Sequence, residues 1–294
     1  MNTHLECLPC LLRQTLEAAR RVSADGGLHR AVMHRAFDVL RVLDVRHSPP
    51  HMARQLHRVV RGLLGSDDPY REIKDMADGG GLAARERVRP MVEQARDPFG
   101  AALRVSIAAN SIGGAMRGDV SDEVIVHALI RALHRRVHGS PTSIRRAAAK
   151  ASRVLVLADD AGELALDCLL LERLRPAHVV VAVRGAPVVD DATRADAEAV
   201  GVSQWAEVID NGSDAPGTLL EDCSPRFRRE FARADLVLAK GAGNFESLAP
   251  LADPRIAFLL VPKCSIVARH VGAPEGVPVA WMLAPRRSRA QARH

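Results

Sequence analysis

The chain has 294 residues, 47% of them apolar and 26% charged, and a formal net charge of +6. That length suits one large domain or two modest ones, and the composition is that of an ordinary globular protein. No run of eighteen apolar residues occurs and the first residues lack an export pattern, so no membrane span is expected and a cytoplasmic location follows.

The basic balance favours anionic partners. Aromatic residues make up only 3% of the chain, too few for base stacking, so nucleic acid is not the expected partner. The five cysteines (Cys7, Cys10, Cys168, Cys223, Cys264) are odd in number and scattered, which argues against a disulfide framework. Nothing in the chain points to a particular oligomeric state.

The first half reads as helical. Apolar residues recur at helical spacing over Pro9 to Val22, Leu28 to Leu43 and Met52 to Leu64. Ser48-Pro-Pro50 is a helix start, with Ser as cap and Pro in the first turn. Further helices are expected over Pro98 to Asn110 and Asp122 to His138. The latter would set His134 and His138 on one face, without the Glu of the zinc-protease pattern, so both read as surface residues. Cys7-Leu-Pro-Cys10, with His4 before it, has metal-ligand or redox spacing, but no second Cys-x-x-Cys completes a tetrahedral site. A structural pair on the first helix is the expectation.

After about Ser152 the pattern changes to alternating strands and helices. The apolar runs 153–158, 178–183, 234–239 and 256–261 read as buried parallel strands, and each ends in polar residues. Asp159-Asp160-Ala-Gly-Glu163 follows the first, Arg184 and Asp190-Asp191-Ala-Thr193 the second, Lys240-Gly-Ala-Gly243-Asn244-Phe-Glu246 the third, and Lys263-Cys264 the fourth. Ligands bind at the carboxyl ends of such strands. Adjacent carboxylates there are costly unless a positive group joins them, and a hard divalent cation is the usual solution. Against this stands a plainer reading in which Asp159 and Asp191 cap helices. Asp196 and Glu198 are expected as helix-surface charges, Asn110 as a helix C-cap or a site residue, and Cys264 as a buried packing residue rather than a nucleophile. Arg184 is open between substrate and solvent.

The order Cys-x-x-Cys, Asn110-Ser-Ile, Asp-x-Ala-Gly-Glu, Arg-Gly-x-Pro-x-x-x-Asp-x-Thr, Lys-Gly-x-Gly-Asn-Phe-Glu and Lys-Cys resembles the metal-dependent damage-control phosphatases, in their compact archaeal and bacterial branch. The resemblance implies a Rossmann-like three-layer α/β/α core with a mainly parallel sheet, preceded by a helical N-terminal region. The expected organisation is a helical region 1–150 partly packed on the core, a catalytic core 151–284 and a basic tail 285–294. The resemblance further implies Mn²⁺, Co²⁺ or Ni²⁺, with Mg²⁺ a further candidate, and a small phosphorylated metabolite as substrate. It carries the metal ligands onto Asp159, Asp160 and Asp191, substrate contacts onto Lys240, Asn244 and Asn110, and phosphate binding onto Lys263. The chain departs from the family at Asp160 and Asp190, where Asn is usual, and at Gly113, where Asp is frequent. The two added carboxylates would grip a cation harder and repel a phosphate.

Phosphomonoester hydrolysis by metal-activated water is the mechanism these residues suggest, with Glu163 as orienting group or base. Lys240 and Lys263 would neutralise phosphoryl charge, and Gly241 and Gly243 would leave backbone N–H groups free near its oxygens. Three other readings stand beside it. A carboxyl methyltransferase lacks its glycine-rich S-adenosylmethionine loop. A dinucleotide oxidoreductase would need a third glycine where Glu246 stands. A non-catalytic binding protein would trap metal without turnover.

Overall fold

A computed structural model describes residues 1–112 and 121–283; Gly113 and the tail 285–294 lie outside the described residues. Helices α1 (Cys7–Val22), α2 (Gly26–Val42) and α3 (Pro49–Leu64) pack through Leu11, Ala18, Val32, Ala36, Met52, Leu56 and Val60 into a core of their own. Pro49 and Pro50 occupy the first turn of α3, as the sequence suggests, and Gly65 ends the helix at φ 62°. Ser48 sits at the cap position, but its side chain makes no capping bond.

Helices α4 (Arg71–Glu93), α5 (Pro98–Ile112), α6 (Asp122–His134) and α7 (Pro141–Lys150) belong instead to the main body. Here the structure corrects one expectation: α6 stops at His134, and His138 lies in β1 (His138–Gly139), so the two histidines share no helix face. Asn110 lies within α5 rather than at its cap.

The remaining elements alternate: β2 (Arg153–Leu157), α8 (Glu163–Leu171), β3 (His178–Val183), α9 (Arg194–Ala199), β4 (Glu207–Asp210), α10 (Pro225–Arg233), β5 (Leu236–Lys240), α11 (Gly241–Leu248), β6 (Ile256–Leu260), α12 (Ser265–Val271) and β7 (Val279–Met282). The sheet order is β1-β7-β6-β5-β2-β3-β4, parallel throughout except for the β6–β7 pair. Val154 and Val156 of β2 enter the core shared with α5 and α8, while Leu155 and Leu157 enter the one shared with α10, α11 and α12. Burial on both faces is why the strands read as unbroken apolar runs. The chain winds outward from β2 to β4, then returns through β5 to the other side. The crevice between β2 and β5 is therefore the switch point, where α/β sheets bind ligands.

Candidate active site

Two loops leave the carboxyl ends of β2 and β3 and are joined to each other through the backbone. Ala161 N–H donates to Asp190 O and Ala192 N–H to Asp159 O, both at 2.8 Å, around an antiparallel bridge between Asp160 and Asp191. This short ladder brings together Asp159 and Asp160 from one loop and Asp190 and Asp191 from the other, with Glu163 at the start of α8 beside them. Carboxylate oxygens of Asp159, Asp160 and Glu163 lie within 4.8 Å of one another, as do those of Asp160, Asp190 and Asp191. Asp190 thus joins the ligand candidates, a role that the sequence reading did not give it. Neighbouring Val189 takes φ 45°, a costly conformation for a β-branched residue, and packs against the helical core of α1–α3.

Above the acids lies a cavity of about 880 Å³, roofed by α1 and the start of α3 and floored by the strand ends. Asn110, Asp159, Asp160, Asp190, Asp191 and Lys263 line it. The helical cap is tied down beside this space: Arg54 pairs with Asp222 Oδ1 at 2.5 Å, Arg58 with Asp214 Oδ1 at 2.6 Å, and Arg61 with Asp214 and with Pro187 O.

Charge in the acidic cluster is under-compensated. Burial, followed by the charges of Asp160, Glu163 and Asp191, holds the Asp159 carboxyl well above the usual carboxylate range, against the opposing pull of Arg184. Burial likewise raises Asp191 to about 6, with Arg184 opposing. Arg184 is itself buried; its Nε donates to Asp191 Oδ2 at 2.5 Å, while Nη2, 3.9 Å from Asp159 Oδ1, makes no hydrogen bond among the described residues. One guanidinium cannot neutralise this many carboxylates, and the cluster could hold a divalent cation that would supply the missing charge. The donor set fits such an ion: hard, oxygen-only and facing a cavity.

The structure gives Lys240 different surroundings from those expected of a phosphate-facing ammonium. It is 1% exposed, does not line the cavity, and its Nζ lies 3.0 Å from Glu163 Oε2 and 2.7 and 2.9 Å from the Asp167 oxygens. Ser106 Oγ donates to Asp167 Oδ1 at 2.6 Å. Burial pushes Lys240 down, but Asp167 and Glu163 outweigh it and the net shift is upward. Glu163 is raised by burial to about 7, with Lys240 opposing. Asp167 and Ser106 were missed from sequence. The available signal was an acid inside the otherwise apolar Glu163-Leu-Ala-Leu-Asp167-Cys-Leu-Leu-Leu helix, which must find a partner.

Asn110 bridges the two groups: Nδ2 donates to Asp159 Oδ2 and Glu163 Oε1, both at 2.8 Å, and Oδ1 accepts from Val261 N–H. Asn244 is fully buried, donating to Ala158 O and Lys240 O and accepting from Thr218 Oγ1, so it ties strand ends together. Arg184 faces neither solvent nor cavity. Gly243 lines the cavity. Gly241, at φ 75°, abuts the site differently: a Cβ there would overlap the Asp159 carboxylate. Lys263 lies 3.9 Å from Asp160 Oδ2 with its side chain 55% exposed.

Helix capping falls elsewhere than on the acids. Gly162 precedes α8, and Thr193 with Asp196 forms the capping box of α9. Asp196, expected on the surface, is fully buried, whereas Glu198 is exposed. Cys7, Cys10 and Cys264 line the cavity mouth, and Cys264 is exposed rather than packed. Among the described residues, the ligand-type groups gathered within 4.8 Å are the acids alone. No helix among them is long and apolar enough to cross a membrane.

Residues 3–279 match the family described as Damage-control phosphatase ARMT1-like domain. An Archaeoglobus fulgidus protein named damage-control phosphatase is 32% identical over 279 residues, 93% of this chain and 96% of its own. A protein of the same name from Pyrococcus horikoshii is 28% identical, covering 95% and 97%. An uncharacterized Methanocaldococcus jannaschii protein is 30% identical, covering 92% of each. The fold superposes on the crystal structure of a DUF89 family protein from Pyrococcus horikoshii with a TM-score of 0.90 at 27% identity, over 96% of this chain and 99% of that one. The chain belongs to the damage-control phosphatase ARMT1-like family.

Proposed function

We propose that this protein is a metal-dependent phosphatase that hydrolyses phosphomonoesters of small metabolites in the cavity between α1–α3 and the strand ends. The relatives support a phosphatase role in general. The observation that carries the finer reading is the cluster of buried carboxylates at the floor of that cavity, with the Asp159 and Asp191 carboxyls raised first by burial and then by their acidic neighbours, against the pull of Arg184.

Asp159, Asp160 and Asp191 would hold the cation, with Asp190 beside them. A carboxylate-only set suits Mn²⁺ or Mg²⁺ better than Co²⁺ or Ni²⁺. A cation held there would supply Lewis acidity toward the phosphoryl oxygens and lower the pKa of a water that could serve as nucleophile. Arg184 orients Asp191, and Asn110 orients Asp159. Lys263, on the cavity wall, binds the phosphate and offsets the added charge of Asp160 and Asp190. Lys240 acts from beneath, fixing Glu163 and through it Asn110, so that Glu163 serves as an orienting group. Among the described residues of the cavity wall Tyr70 is the one aromatic, a lining that favours a sugar-like leaving group over a nucleobase.

Phosphate release tests this reading. Chelator-treated protein is offered sugar phosphates, nucleotides and p-nitrophenyl phosphate with Mn²⁺, Mg²⁺, Co²⁺ or Ni²⁺. Release that requires a metal and disappears in Asp159→Ala is expected. No release with any metal, or release indifferent to chelation, would contradict it; a methyl ester product would indicate the methyltransferase instead.

A further inference from the structure

Helix α4 turns an unusual stripe toward the interior. Residues 74, 77, 78, 81, 84, 88 and 92 are all buried, at helical spacing. Lys74 and Asp78 occupy two positions that an ordinary stripe would give to apolar side chains. They stand four residues apart, hence on one face.

Each reaches one of the two acidic loops. Asp78 Oδ1 accepts from Gly162 N–H at 2.8 Å, two residues after Asp160. One turn further along, Gly81 backs directly onto the same turn, and a Cβ there would overlap Gly162 O. Lys74 is fully buried, with Nζ 3.1 Å from Asp68 Oδ2 and 3.2 Å from Asp196 Oδ2. Asp196 Oδ2 in turn accepts from Thr193 N–H at 2.7 Å and Thr193 Oγ1 at 2.6 Å, two residues after Asp191. The outer ends of both loops are therefore fastened to one rigid helix, while their inner parts bond each other through Ala161 and Ala192.

Stability alone does not account for the arrangement. Asp78 Oδ2 has no hydrogen-bond partner among the described residues, and a half-satisfied buried carboxyl is worth less to the fold than a well-packed apolar group. What Asp78 does provide is a fixed direction for the Gly162 N–H.

We propose that Lys74 and Asp78 are positioning residues that set the spacing of the 159–163 and 188–193 loops, and thereby the affinity of the site for a divalent cation. The inference rests on the metal-site reading above.

The test uses Mn²⁺ alone as probe, titrated into chelator-treated full-length wild type, Asp78→Ala, Asp78→Asn and Lys74→Met. Thermal midpoints are recorded in chelator and in saturating Mn²⁺. Asp78→Ala and Lys74→Met should weaken Mn²⁺ binding by about 10- to 100-fold and shrink the Mn²⁺-induced rise in midpoint. Asp78→Asn keeps an acceptor for Gly162 N–H and should bind within about threefold of wild type. A merely structural role would lower the chelated midpoint but leave Mn²⁺ affinity of the folded protein unchanged, and that result overturns the inference. Should Asp78→Ala fail to fold, Asp78→Leu, of closer volume, takes its place with the same expectation. Folded wild type that binds no Mn²⁺ overturns the metal reading itself, and this inference with it.

Discussion

Two groups of buried acids lie side by side at the β2–β5 crevice, linked by Asn110, and they are treated in opposite ways. Beneath the crevice, Glu163 and Asp167 share the Lys240 ammonium, with Ser106 and Asn110 completing their bonds. Facing the cavity, Asp191 and Asp159 have Arg184 at 2.5 and 3.9 Å, one of whose nitrogens makes no hydrogen bond among the described residues, and Asp160, beside Asp190, has Lys263 at 3.9 Å. The first group is closed, with its polar atoms engaged by other parts of the chain. The second faces the cavity, and there burial and neighbouring acids hold Asp159 and Asp191 above the usual range with Arg184 opposing. Closed networks hold a scaffold in place; an open one of single sign facing a cavity calls for a ligand of the other sign.

The difference can be broken most forcefully from below. Lys240→Met leaves Glu163 and Asp167 buried without a cation and should cost about 3–5 kcal/mol of stability, read from denaturant midpoints. On the open side, Asp159→Asn should lower metal-dependent phosphate release by about 10²–10³-fold. Metal-free Asp159→Asn should be at least as stable as wild type at alkaline pH, because the substitution removes a buried charge that Arg184, at 3.9 Å, offsets only in part. Equal destabilisation by the two variants would erase the distinction.

Titration sharpens it further. Asp191 sits at about 6 against an ordinary 3.8, and Glu163 at about 7 against 4.5. A carboxyl raised in the folded state binds more protons there than when unfolded. Its contribution to stability is therefore full below the unfolded value and lost as pH rises through the folded one. Chelated protein should lose stability from these groups between about pH 4 and pH 7, as thermal midpoints across that range would record. In saturating Mn²⁺ the trend should reverse, since the cation binds ionised carboxylates. The smallest effect is expected at Lys263, on the half-exposed wall: Lys263→Met should raise KM about two- to fivefold with little change in kcat.

Much of this architecture was legible in the chain. The four central strands read as apolar runs because both their faces are buried, and the acids at their ends marked the crevice. Strands β1, β4 and β7, at two to four residues each, were too short to register as runs. Helix α4 escaped for a more instructive reason. Its inward stripe is interrupted by Lys74, Asp78 and Gly81, so apolar periodicity fades over the part that holds the loops. Lys240 was seen as a site residue, but sequence could not show that its ammonium points down to Asp167 rather than up to substrate, because the partner lies far along the chain. Asp196 reads as a surface charge for the same reason: Lys74, its buried partner, is 122 residues away.

The most direct measurement is a calorimetric titration of Mn²⁺ into chelated protein near pH 6.5, in two buffers of different ionisation enthalpy. Because burial raises Asp191 to about 6 and holds Asp159 above the usual range as well, a cation that takes their ionised forms should displace protons as it binds. Uptake with net proton release, weakened at least about tenfold in Asp159→Asn, is the predicted result. Folded protein that takes up no Mn²⁺, or takes it up without proton release and indifferently to Asp159→Asn, would contradict the account.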